Sequence, residues 1–165
     1  MYQLSTIIKG LMLVIFVAVL NINFVSAQNC NATLSVEKDR NAQSAYTEDG
    51  ATFNMVLTNT SSKKVTYIIS STNLEESCAN DAYKTSAPNV ALNVAVKSSA
   101  NASVANNALT LAAGETRKFK IYVSVPARTP SNVWSCIKIS AKGSECAEPS
   151  SSTTLRVYVP EPSEG

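Results

Sequence analysis

Four cysteines and no histidine set the chemistry open to this chain. Cys30, Cys78, Cys136 and Cys146 are its strongest nucleophiles and softest metal ligands, yet no imidazole exists to activate them. A Ser-His-Asp triad and a Cys-His pair both require that ring as general base. Structural zinc sites draw on closely spaced Cys-x-x-Cys pairs, and none occurs here. The sulfurs therefore read as two disulfides. Four cysteines allow three connectivities, and the residues alone do not choose among them. The preferred pairing is Cys30–Cys78 with Cys136–Cys146. The second pair flanks a turn-like stretch, Ala-Lys-Gly-Ser-Glu at 141–145, and the first then staples the chain's start to a long loop.

The acids group as Asp39, Glu48 and Asp49 and as Glu75, Glu76 and Asp81. Glycoside hydrolysis needs two carboxyls at a controlled separation across a cleft. These acids fall in loop-like stretches, where solvation is their ordinary state. Glu75, Glu76 and Asp81, with Asn80, offer oxygens of the kind calcium takes, but their spacing matches no calcium loop. No metal and no cofactor is expected.

A binding stripe could instead lie on the outward face of one strand, where Lys118, Lys120 and Tyr122 alternate. The commoner use of such lysines is to discourage pairing at an exposed sheet edge. The candidate binding surface is this stripe together with Glu75, Glu76 and Asp81. Trp134 and Tyr158 are candidates for an aromatic platform for carbohydrate or a partner. Packing against a sheet is the commoner fate of such large rings.

The compartment follows from residues 1–27. Lys9 precedes an unbroken apolar run, Leu11 to Leu20, and Val25-Ser26-Ala27 presents small residues to a peptidase. That is the layout of a cleavable signal peptide. The run is far below the roughly 20 residues of a membrane span, and Asn29 before Cys30 does not fit a lipidation motif. Removing residues 1–27 of the 165 leaves 138 residues with 13 basic and 12 acidic side chains. A domain so near neutrality has no electrostatic footprint for nucleic acid. The expected address is outside the cytoplasm (periplasm, cell surface or medium), where disulfides persist.

Period-two alternation then supplies the elements. Strands are expected over 33–37, 51–58, 65–70, 89–97, 109–111, 117–125, 132–140 and 153–159. Phe119, Ile121, Val123 and Val125 mark the cleanest inward face. A long polar connection, 71–88, carries Cys78. Prolines 126 and 130 end one strand, since proline cannot donate to a ladder. Trp134 and Cys136 fall out of phase with Val133, Ile137 and Ile139, which leaves their face open. About seven or eight short strands with turns between them predict an all-β, antiparallel sandwich over 28–160, with a flexible tail at 161–165. Three Asn-x-Ser/Thr triplets begin at Asn31, Asn59 and Asn101.

Two stretches carry a family likeness. Phe-Asn-Met-Val-Leu-Thr-Asn-Thr-Ser-Ser, from Phe53, resembles the early hairpin of bacterial Ig-like and fibronectin-III-like domains. Leu109 to Pro126, with Gly114-Glu115 before an alternating strand, resembles a later segment of the same modules. The pattern is similar to the NEW3-like and CARDB-like modules of secreted bacterial proteins, over roughly residues 50–160. It departs from them at Ser61, where glycine is usual. The resemblance implies an Ig-like sandwich used as spacer, adhesive unit or enzyme accessory, with a protein or cell-surface glycan as partner. It favours a non-enzymatic binding module, free-standing or one subunit of an assembly. A pilus-like subunit built by strand exchange is the second reading, and a small hydrolase the last.

Overall fold

The computed structural model describes residues 30–75 and 89–161. Nine strands occur among them: β1 (Ala32–Val36), β2 (Ala42–Ser44), β3 (Ala51–Asn59), β4 (Val65–Asn73), β5 (Asn93–Ser98), β6 (Ala108–Leu111), β7 (Thr116–Ser124), β8 (Val133–Gly143) and β9 (Ser151–Val159). They form two sheets, ordered β1-β3-β7-β5 and β2-β9-β8-β4-β6. Every pairing is antiparallel except β2 with β9.

Alternation builds both sheets, because successive side chains of a strand point to opposite faces. From the four-stranded sheet Phe53, Met55, Leu57, Phe119, Ile121 and Val123 point inward and are buried. Tyr67, Ile69, Ile137, Ile139, Leu155 and Val157 meet them from the five-stranded sheet. Each such side chain stabilises the fold by roughly 1.5–3 kcal/mol through removal from water.

Eight of the nine strands coincide with the expected alternating segments. The ninth, β2, is three residues with no apolar alternation, Ala42-Gln43-Ser44. It forms because the chain leaves β1 at the edge of one sheet and crosses to the edge of the other. There Ala45 donates to the Tyr158 carbonyl at 2.8 Å, and Arg156 donates to that of Asn41 at 2.7 Å. β7 is flanked by β3 and β5, so Lys118 and Lys120 do not guard an edge. The expected edge role is corrected: the pairing β3–β7 uses the whole of Ala51–Thr58, leaving β7 interior.

A buried polar hub joins the two sheets where β3 ends. Asn59 is fully buried, and its Nδ2 donates to the carbonyls of Lys63 (2.7 Å), Ala112 (2.9 Å) and Leu111 (3.2 Å). Its Oδ1 accepts from the Ser61 hydroxyl at 2.6 Å and the Tyr67 hydroxyl at 2.8 Å. Burial pushes the Tyr67 phenol above its usual range, partly opposed by its contact with Ser61. Next to the hub, Gly114 takes φ +72° in the turn into β7, a conformation open to glycine. Glu115 closes that turn by accepting from the Ala112 N–H at 2.7 Å.

Candidate binding face

The cysteines decide how the sheets are stapled. Cys30 bonds to Cys146, with Cα atoms 6.5 Å apart. This corrects the expected Cys30–Cys78 and Cys136–Cys146 pairing, and strand geometry gives the reason. The stretch taken as a turn begins inside β8, which runs on to Gly143. Cys136 therefore lies seven residues before the strand's end, roughly 23 Å away at about 3.3 Å per residue. No disulfide spans that distance. Cys30, just ahead of β1, instead packs onto Gly143, where an added Cβ would meet the cysteine's Cβ and sulfur at 2.6 Å. Cys136 is itself disulfide-bonded. Cys78, the remaining cysteine of the sequence, lies outside the described residues.

The expected surface stripe exists, and its members are engaged. Lys118 Nζ bonds to the Glu37 carboxylate at 2.6 Å. That hydrogen bond and the lysine's charge hold Glu37 below the usual carboxylate range. Lys120 donates to Asn101 Oδ1 at 2.7 Å. Tyr122 donates to the Asp49 carbonyl at 3.2 Å, and Lys97 Nζ stands 4.2 Å from its ring centre. Glu75 is exposed just past β4, in the other sheet, so it does not join this stripe. Glu76 and Asp81 lie outside the described residues. Among the described residues no three His, Cys, Asp or Glu side chains converge as a metal site requires. No helix among them is long and apolar enough to cross a membrane.

Trp134 and Tyr158 pack against the sheet and each other, as expected of such large rings. Register places them opposite each other on β8 and β9. Both are half-buried, whereas their neighbours Ser135 and Val157 are fully buried, so the two rings stand on the outer face of the five-stranded sheet. Their centres are 5.2 Å apart and their planes meet at 43°. Such tilted pairs add roughly 0.5–1.5 kcal/mol beyond area burial. Ala42, Gln43 and Ser44 of β2 form the other wall of a groove of about 400 Å³. The Tyr158 hydroxyl donates to Asn132 Oδ1 at 2.8 Å, and Asn132 Nδ2 donates to Glu161 at 3.1 Å. A chain of two hydrogen bonds thus orients the phenol and links it through Asn132 to the Glu161 carboxylate.

The backbone beside this groove is clamped. Leu74 donates to the Cys136 carbonyl at 2.8 Å and Val90 to that of Trp134 at 3.1 Å. Asn73 and Leu92 exchange hydrogen bonds in both directions, each 3.2 Å. The residues on both sides of the long connection therefore meet next to Trp134. Sequence reasoning missed β2 as a groove wall, because a three-residue strand leaves no periodic signal.

Two packed sheets with this strand order define an Ig-like β-sandwich. Residues 24–160 match the family described as the IG-like fold at the C-terminal of FixG, itself described as a candidate oxidoreductase. The chain belongs to that family. A comparison with curated proteins finds no match. Among solved structures the chain is similar to the E. coli chaperone DraB, with 12% identity and a TM-score of 0.45, covering 82% of this chain and 57% of that one. It is also similar to a family 123 glycoside hydrolase from Clostridium perfringens, with 10% identity and a TM-score of 0.46, covering 78% and 27%. The Salmonella enterica SafA pilin–SafB chaperone complex follows at 12% identity and a TM-score of 0.42, covering 82% and 57%.

Proposed function

We propose that this chain is an exported, non-enzymatic Ig-like module that acts by binding, with its contact face on the outer side of β2, β9 and β8. The observation that carries this reading is the half-buried Trp134–Tyr158 pair on the outer face. Large rings kept partly in water beside a groove, on the face opposite the buried Ser135, Ile137 and Val157, support a contact surface there. Export is supported by the Cys30–Cys146 bond and by the bonded state of Cys136, since such bridges persist in oxidising compartments. It also accords with reading residues 1–27 as a signal peptide and 28–160 as the mature domain. The lysine stripe of β7 is a weaker candidate face, because its charges are already answered within the chain.

The test is fractionation of cells producing the chain, with cross-linking on intact cells. The expected product begins near Gln28, carries no free thiol, lies outside the cytoplasm, and cross-links to a surface component. Trp134→Ala should reduce that cross-linking at least tenfold without lowering the amount exported. A cytoplasmic product that keeps residues 1–27 and titrates four thiols would overturn the proposal.

A further inference from the structure

We infer that Cys136 is bonded to Cys78, and that this bridge ties the connection between β4 and β5 to the outer face of the five-stranded sheet, beside Trp134. Elimination supplies the partner. Cys136 is disulfide-bonded, Cys30 and Cys146 are bonded to each other, and the chain has four cysteines. Within one chain, Cys78 is the partner that remains. The inference concerns covalent structure, and it stands whether or not the outer face is a contact surface.

Burial points the same way. Ser135, Ile137 and Ile139 of β8 face the core, so Trp134, Cys136 and Lys138 face outward. On that face Trp134 is half-buried, Lys138 is exposed, and Arg156, opposite Cys136 on β9, is half-buried. Cys136 between them is 0% exposed. An outward side chain this small loses all its water only where it is covered. The connection between β4 and β5 starts and ends at this point: Leu74 donates to the Cys136 carbonyl at 2.8 Å, and Val90 to that of Trp134 at 3.1 Å. Cys78 stands four residues past Leu74. Four residues reach at most about 14 Å, and a disulfide holds its Cα atoms roughly 4.4–6.8 Å apart, so the chain can return to Cys136 within that span. The two bridges are then nested in sequence, with Cys78 and Cys136 both between Cys30 and Cys146. Cys30–Cys146 fastens the Gly143 end of β8, whereas the second bridge lies on the outer face next to Trp134. A reductant that opens the second bridge acts on the surroundings of that ring, which makes this face the redox-sensitive one.

Cleavage after lysine and arginine puts the four cysteines in four peptides, ending at Lys38, Lys84, Lys138 and Arg156. Digestion of the exported, unreduced protein, with any free thiol alkylated first, should recover the peptide ending at Lys84 linked to the one ending at Lys138. The placement beside Trp134 has its own readout. A disulfide quenches a nearby indole by accepting an electron from its excited state, and the chain contains a single tryptophan. Dithiothreitol reduces a bridge to two thiols and is itself oxidised to a cyclic disulfide; it should brighten Trp134 emission in the folded protein. The variant Cys78→Ser with Cys136→Ser should be bright before any reductant is added. The variant Cys30→Ser with Cys146→Ser should behave as the native chain. Cys30 packs on Gly143, and β8 runs nine residues from Trp134 to that glycine, roughly 30 Å at about 3.3 Å per residue. Thermal unfolding confirms that each variant is folded. An alkylated Cys78, a link from Cys78 to Cys30 or Cys146, or a link from Cys136 to a second copy would overturn the bridge. Equal emission from the native chain and the folded Cys78→Ser, Cys136→Ser variant would overturn its placement beside Trp134.

Discussion

Asn59 shows how much one side chain can carry. Its amide is shared among three carbonyls, two hydroxyls and the Ser61 N–H, with the Leu111, Ser61 and Tyr67 bonds buried. Asn59→Ala should cost about 2–4 kcal/mol, because it strands several buried polar groups at once. Urea unfolding of the variant measures it directly. The same burial keeps Asn59 from serving as a glycosylation acceptor in the folded protein, although Asn59-Thr60-Ser61 has the acceptor form. The likeness between this stretch and the Asn-Thr turn of Ig-like modules is thus structural in origin. Asn59 is not among the positive-φ residues, so its value lies in its amide. Ser135 is the opposite case. It points into the core of β8 with no partner for its hydroxyl. Ser135→Ala should raise stability by about 1 kcal/mol, since it removes an unsatisfied polar atom and little volume. A higher urea midpoint with an unchanged slope would bear this out.

The turn from β6 into β7 is stabilised as an element rather than by any one contact. Gly114 supplies the left-handed backbone, and Glu115 accepts from the Ala112 N–H and from Arg117. The backbone hydrogen bond, then the bond to Arg117, holds the Glu115 carboxyl below its usual range. A lowered native pKa means the ionised form is favoured in the folded state. The contribution is therefore complete above the unfolded carboxylate pKa, roughly 4.3, and is lost as pH falls through the lower native value. The difference in urea midpoint between the native chain and Glu115→Gln should be present at pH 7 and shrink as pH falls through the lowered native pKa. Gly114→Ala should cost about 1–2 kcal/mol at any pH, since its penalty is steric. An added Cβ there meets no other atom, so the effect isolates backbone strain.

Across the whole molecule, the Cys30–Cys146 bond joins residues 116 apart in sequence. It ties the start of the described fold to the connection between β8 and β9, where Ser144 also donates to Thr66 of β4. Opening it by Cys30→Ala with Cys146→Ala should cost about 2–4 kcal/mol, chiefly by freeing the unfolded chain. Peptide mapping without reduction should recover Cys30 linked to Cys146. The all-β class, the two-sheet sandwich and eight of the strands were legible in the sequence because side-chain period and turn residues are local properties. Phe119, Ile121 and Val123 announce an inward face to anyone who counts by two. The even number of cysteines likewise pointed to bridges. Which cysteines meet was not legible: Cys136 and Cys146 are close in sequence yet separated by the length of an extended strand, while Cys30 is brought to Cys146 only by the folding of β1 against β3 and of β8 against β4. The face of Trp134 was open for the same reason, since its phase is read only against Ile137 and Val157 once β8 and β9 are in register. The groove is a product of tertiary structure alone. Ala42, Trp134 and Tyr158 stand far apart along the chain, and a parallel pairing of three residues, invisible to any periodicity, brings them to one face.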